Sequence, residues 1–121
     1  MILFTTAQLD QLYENGLPCN QGKDARPLKL ILPGTGCAWL LTEIRPQGEQ
    51  FGYGLSDYGL GNVELGYINL MALSGMFDPW NRHRVRIDQS FVAQYPLSVY
   101  VEAAKAFGCI TEDEIILAKA V

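Results

Sequence analysis

A chain of 121 residues, about half of them hydrophobic, fits one domain (1–121) with an ordinary core and argues against disorder. A formal net charge of −4 argues against a protein that holds nucleic acid by bulk attraction. Cys19, Cys37 and Cys109 are widely spaced and His83 is the one histidine, so a zinc site of the usual spacing is excluded and reduced thiols are expected.

No basic-then-apolar leader opens the chain, and no apolar run nears the roughly 18 residues of a membrane span. The expectation is a soluble, cytoplasmic protein with no membrane partner. Phe4–Gly16 reads as a helix. Thr5 and Gln8 form a capping box, Phe4 and Leu9 occupy the staple positions, and Asn15-Gly16 is a stop. After a polar loop, Lys29–Leu32 reads as a buried strand. Pro33-Gly34-Thr35-Gly36 turns the chain. It lacks the Gly-Lys-Ser/Thr ending and the following helix of a phosphate loop.

Ala38–Arg45 is a strand. Strict alternation puts Ala38, Leu40, Thr42 and Ile44 on one face and Trp39, Leu41, Glu43 and Arg45 on the other. Pro46-Gln47-Gly48 is hairpin-turn material. Phe51–Tyr58 returns, with Gly52, Gly54 and Ser56 leaving one face nearly bare. Something large is expected there, Trp39 or a packed helix in preference to a ligand. Glu64–Leu70 is a third strand, and Asn69 caps a short helical turn ended by Gly75. Asp78-Pro79-Trp80-Asn81 turns into a strand over Arg84–Ile87.

Ser98 reads as the N-cap of a further helix carrying Tyr100, Ala103, Ala104 and Phe107 on one stripe and closed by Gly108. Thr111 and Glu114 suggest a capping box for a last helix, Glu112–Ala120. The order predicts an α+β fold. Its mostly antiparallel sheet has four to five strands, with an N-terminal helix and one or two C-terminal helices, packed on one face or at the ends.

Three groups of residues carry candidate chemistry. Glu43, Asp57 and Glu64 come from neighbouring strands. Brought together, they would raise one carboxyl pKa or hold a divalent cation through oxygen. Paired with arginines or capping turns, they would be structural. Arg82, Arg84 and Arg86 alternate, so one strand would place them on one face, suited to phosphates or an acidic protein surface. The plainer reading is a charged edge strand. Tyr58, Tyr67 and Trp80 are interface residue types. No nucleophile–base motif involves His83. The acidic start of the last helix argues against a helix-turn-helix and direct nucleic-acid binding.

Trp39-Leu40-Leu41-Thr42-Glu43, then Phe51-Gly52 and Gly54-Leu55-Ser56-Asp57-Tyr58-Gly59, then Glu64-Leu65-Gly66-Tyr67-Ile68-Asn69-Leu70 resemble a bacterial family known as a domain of unknown function. Its members read W-L-L-T-E, F-G-L-x-D-L-G and P-E-L-G-Y-V-S-L in that order. Ser90 stands where the family pattern has a histidine, and Val63 where proline is common. The resemblance implies residence on plasmids and integrative elements, beside conjugation or anti-restriction genes, and supplies no catalytic residue or cofactor.

The expected function is therefore that of a small non-enzymatic accessory protein. It would bind a host protein or complex, as an anti-CRISPR or anti-restriction factor, and a homodimer through an edge strand stays open. The binding candidates are Glu43, Asp57, Tyr58, Glu64, Tyr67, Trp80, Arg82, Arg84 and Arg86. The alternative is a metal-assisted enzyme that acts on a phosphate-bearing substrate through the carboxylates.

Overall fold

A computed structural model describes residues 2–45, 51–80 and 82–121. Helix α1 spans Thr6–Asn15. Its capping box forms: Thr5 Oγ1 accepts from the Gln8 N–H at 3.1 Å, and Gln8 Oε1 from the Thr5 N–H at 2.8 Å. Strands β1 (Leu28–Ile31), β2 (Ala38–Ile44), β3 (Phe51–Asp57) and β4 (Val63–Asn69) follow. The hairpin turn expected at Pro46-Gln47-Gly48 lies outside the described residues.

Helix α2 (Leu70–Ser74) starts at Asn69, whose side chain accepts from the Ala72 N–H. Then come β5 (Phe77–Asp78), β6 (His83–Arg84), β7 (Arg86–Ile87), α3 (Leu97–Phe107) and α4 (Glu114–Lys119). The main sheet has the order β4-β3-β2-β1-β7, every neighbouring pair antiparallel, and β5 and β6 form a separate two-stranded hairpin. This is the expected α+β architecture.

The helices cover both faces of the sheet rather than one. Ile2 and Leu12 of the α1 side join Trp39, Leu41, Ile44 and Ile68 in one core. Leu40 and Leu55 pack on the other face against Tyr100 and Ala104 of α3 and Leu117 of α4. The cause is legible in β2. Its Trp-Leu-Leu run lacks apolar/polar alternation, so neither face can be left to water. Among the described residues no helix is long and apolar enough to cross a membrane.

A β-bulge interrupts the β2–β3 ladder. Leu41 opposes Gly54, but the next pair is Glu43 with Tyr53, so Thr42 is the extra residue. Its polar groups are satisfied elsewhere: Asn15 Nδ2 donates to the Thr42 carbonyl at 2.9 Å, and Thr42 Oγ1 donates to the Tyr53 carbonyl at 3.2 Å. The bulge reverses the side-chain phase beyond it. Glu43 therefore moves to the α3 face, away from Trp39 and Leu41, and Ile44 moves to the α1 face.

What approaches the bare stretch of β3 most closely is β2 itself rather than Trp39, with Leu70 of α2 next, 3.6 Å from where a Cβ of Gly52 would stand. A Cβ at Gly54 would stand 1.8 Å from the Leu40 carbonyl oxygen, and one at Gly52 would be 2.5 Å from Leu41 Cδ1. Gly16, at the end of α1, is held as tightly, with the Ile44 carbonyl oxygen 1.8 Å from its missing Cβ.

Three further expectations change in detail. Arg84–Ile87 is not one strand, because β6 pairs with β5 while β7 pairs with β1. The alternation survives, with Val85 and Ile87 buried and Arg84 and Arg86 exposed. Ser98 is not the N-cap of α3; Pro96 is, with no side-chain cap bond. The free helix end is instead capped from afar: Asp24 Oδ1 accepts from the Ser98 N–H at 2.9 Å and Asp24 Oδ2 accepts from the Ser98 hydroxyl. Finally, α4 is capped by Asp113, which accepts from the Ile115 N–H at 2.9 Å, and Thr111 only supports Asp113. Glu114, freed from a capping box, accepts from the Tyr95 hydroxyl.

Gly54→Ala forces a methyl into a backbone carbonyl, so it should lower the unfolding free energy by about 2–3 kcal/mol in urea titration. Gly66→Ala meets nothing within 4 Å and should leave stability unchanged or slightly raised.

Candidate functional site

The three carboxylates picked from the sequence do not meet. Glu43 and Asp57 share the α3 face, but Glu43 opposes Tyr53, which lies four residues from Asp57 along β3, so about 13 Å separates them. Glu64 opposes Ser56 and so points to the other face. Each also has a separate setting. Asp57, 2% exposed, accepts from the Gly59 N–H at 2.8 Å and from the Ile110 N–H at 2.9 Å. It fixes the β3–β4 turn and ties the α3–α4 connection to the sheet. Glu64 is exposed on the edge strand. Among the described residues no three His, Cys, Asp or Glu side chains form a group able to hold a metal ion.

Glu43 is the one carboxylate in an unusual environment. It is 5% exposed, and its Oε2 lies 2.8 Å from Arg45 Nε. Neither atom makes a hydrogen bond, because the N–H is not aimed at the oxygen; the contact is an ion pair only. Burial pushes the Glu43 carboxyl above its ordinary range, and the Arg45 charge opposes this incompletely.

Arg45 is fixed on its other sides. Its Nη1 donates to Gln21 Oε1 at 2.7 Å, and its guanidinium lies 5.0 Å from the Tyr53 ring centre and 5.4 Å from that of Tyr67. Tyr67 is therefore part of this cluster although 70% exposed. Glu43, Arg45 and Tyr53 line a cleft of about 510 Å³ together with Asp24, Ser98 and Lys105. Only the bulge at Thr42 puts Glu43 here, and no motif in the sequence announces it.

The arginines do come together. Arg82, Arg84 and Arg86 line one groove of about 570 Å³, with Val85 at its floor and Leu3 and Pro33 beside it. His83 sits among them, its Nδ1 3.2 Å from the Pro33 carbonyl oxygen. Arg82 holds a left-handed backbone, φ 59°, at the entry to β6. The ion pairs among the described residues are Lys29–Glu112, Glu43–Arg45 and Glu102–Lys105, so the three arginines form none. Asp88 stands near Arg86, its carboxyl held below its usual range chiefly by the Ser90 hydroxyl, with Lys29 and Arg86 adding attraction.

On the same hairpin the turn places Trp80, 91% exposed. Asp78 Oδ1 accepts from the Trp80 N–H at 3.1 Å and fixes the turn beneath it. Arg84 stacks on Phe77, its guanidinium 5.1 Å from the ring centre. Tyr58 lies elsewhere, edge-on to the buried Trp39 with ring centres 5.7 Å apart.

The molecule is thus a small α+β domain with one buried carboxylate–arginine pair and one exposed aromatic–arginine hairpin. The chain belongs to the family described as Protein of unknown function (DUF2958), whose model matches residues 3–111. No curated protein and no solved structure matches it.

Two side chains have measurable consequences. A carboxyl raised by folding favours the protonated form, so the stability Glu43 contributes is present at low pH and is lost as pH rises through its folded pKa. The difference in stability between wild type and Glu43→Gln should therefore shrink or reverse from acid to neutral pH, as read by urea unfolding across a pH series. Asp57→Ala leaves two inward-facing amides without acceptors and should cost about 3 kcal/mol, measured in the same way.

Proposed function

We propose that the protein is a small non-enzymatic accessory factor of a mobile genetic element. It binds a host protein through the Trp80–arginine hairpin and thereby inhibits a defence system of the CRISPR or restriction type. The mobile-element setting and the cytoplasmic address rest on the family resemblance. The observation that carries the binding reading is a turn presenting an indole that is 91% exposed, beside three arginines that form no ion pair among the described residues.

Trp and Arg dominate interface energy when buried by a partner. Exposed cations around an apolar floor suit a partner surface that carries carboxylates and apolar side chains. The competing metal-assisted reading finds no support in the geometry, since Glu43, Asp57 and Glu64 are not gathered.

The test is affinity capture from a defence-competent bacterium, followed by titration of the captured protein with wild type, Trp80→Ala and Arg84→Ala. Each truncation of a true anchor should weaken binding by about 30-fold, the equivalent of about 2 kcal/mol. In a phage-plating assay, wild type should lower immunity and both variants should restore it. Full immunity in the presence of wild type, or variants that bind and inhibit unchanged, overturns the reading.

A further inference from the structure

Strand β4 forms one edge of the main sheet, with β3 as its only neighbour among the described residues. It is seven residues long and pairs with β3 in unbroken register from Val63 to Asn69. Among the described residues, no backbone group of Val63–Ile68 takes part in a turn, loop or capping bond, so the outer row of N–H and C=O groups is unpaired.

Protected edges carry charges, above all lysine, or proline, a bulge or a covering element, and Glu64 is the one charge on β4. This strand, Val-Glu-Leu-Gly-Tyr-Ile-Asn, has no lysine, proline or bulge, and Leu65 and Tyr67 stand 45% and 70% exposed on it.

Gly66, at its midpoint, is the second observation. A glycine inside a strand costs about 0.5–1 kcal/mol relative to alanine. Gly52 and Gly54 have a reason within the chain, since β2 occupies the place of their Cβ. Gly66 has none: a Cβ there meets nothing within 4 Å, and its φ is not positive. The fold of one chain does not require it.

We infer that β4 is the interface of a symmetric homodimer, pairing antiparallel with β4 of a second copy about a two-fold axis at Gly66. That register uses the whole strand. It sets Leu65 opposite Tyr67 of the second copy, twice, as aliphatic–aromatic cross-strand pairs on one face. It sets Val63 opposite Asn69 and Glu64 opposite Ile68. The single charge of the strand then never meets its mate, because the two Glu64 residues lie about 13 Å apart along the pair, beyond the roughly 8 Å screening length.

A register centred on Glu64 would place two carboxylates face to face, which is destabilising. The Gly66 register is isologous and closes after two copies, so it satisfies the edge without building a filament. At the axis, paired glycines leave the spacing of the strands free of side-chain contact. The dimer does not depend on the host-binding reading, which uses a different surface.

Sedimentation velocity across a concentration series tests it, with thermal unfolding as a check on each variant. Wild type should pass from monomer to dimer as concentration rises. Gly66→Asp and Gly66→Lys each place like charges opposite one another at the axis, in space that is open within the chain. Each alone should remain monomeric, and an equimolar mixture should form the heterodimer. A wild type that stays monomeric into the millimolar range overturns the inference, as does a wild-type dimer that either variant leaves intact. If wild type is monomeric while both variants lose the captured host protein, the edge belongs to that partner and self-pairing is refuted.

Discussion

The structure depends on how closely other backbone segments approach β2. Carbonyl oxygens of Leu40 and Ile44 occupy the places where side chains would begin at Gly54 and Gly16. One contact draws β3 against β2; the other seats the end of α1 on the same strand. Six of the seven residues of β2 are buried as a result. The bulge at Thr42 belongs to this arrangement: its displaced carbonyl is taken up by Asn15 from α1, so helix and irregularity are fixed by one another. A larger residue at either glycine would disturb both layers at once.

Charge follows from that packing. Several acidic side chains have structural tasks. Asp57 joins the β3–β4 turn to the α3–α4 connection, and Asp24 supplies the cap that α3 lacks in its own sequence. Glu43 and Arg45 neutralise one another behind Tyr53 and Tyr67. Among the described residues, the arginines of the hairpin region form no ion pair, and Arg84 stacks on Phe77 instead. That surface sets its exposed cations beside the most exposed aromatic residue, Trp80.

The regular elements were legible because their signals are local. Thr5, Gln8 and Asn69 act within three residues, whereas helices on both faces of the sheet were not expected from strict alternation. Features set by distant residues were not. The bulge depends on Asn15, far from Thr42 in sequence, so alternation gave Glu43 the wrong face. Ser98 looked like a cap because the true acceptor, Asp24, is 74 residues away. Arg84–Ile87 looked like one strand because alternation persists even though β6 and β7 belong to different sheets. The carboxylates illustrate the same limit: adjacent strands supplied them, and register with phase dispersed them.

The two tryptophans sit at opposite extremes of environment. Trp39 is wholly enclosed and Trp80 is almost wholly in water. The protein therefore carries two intrinsic fluorophores with distinct emission, one in the core and one at the hairpin tip. Quenching by a small solute reaches only the second while the chain is folded. A blue shift confined to that quenchable component reports the hairpin being covered, and a red shift of the protected component reports the core opening. Occupation of the surface and loss of the fold can be followed in one cuvette without a label.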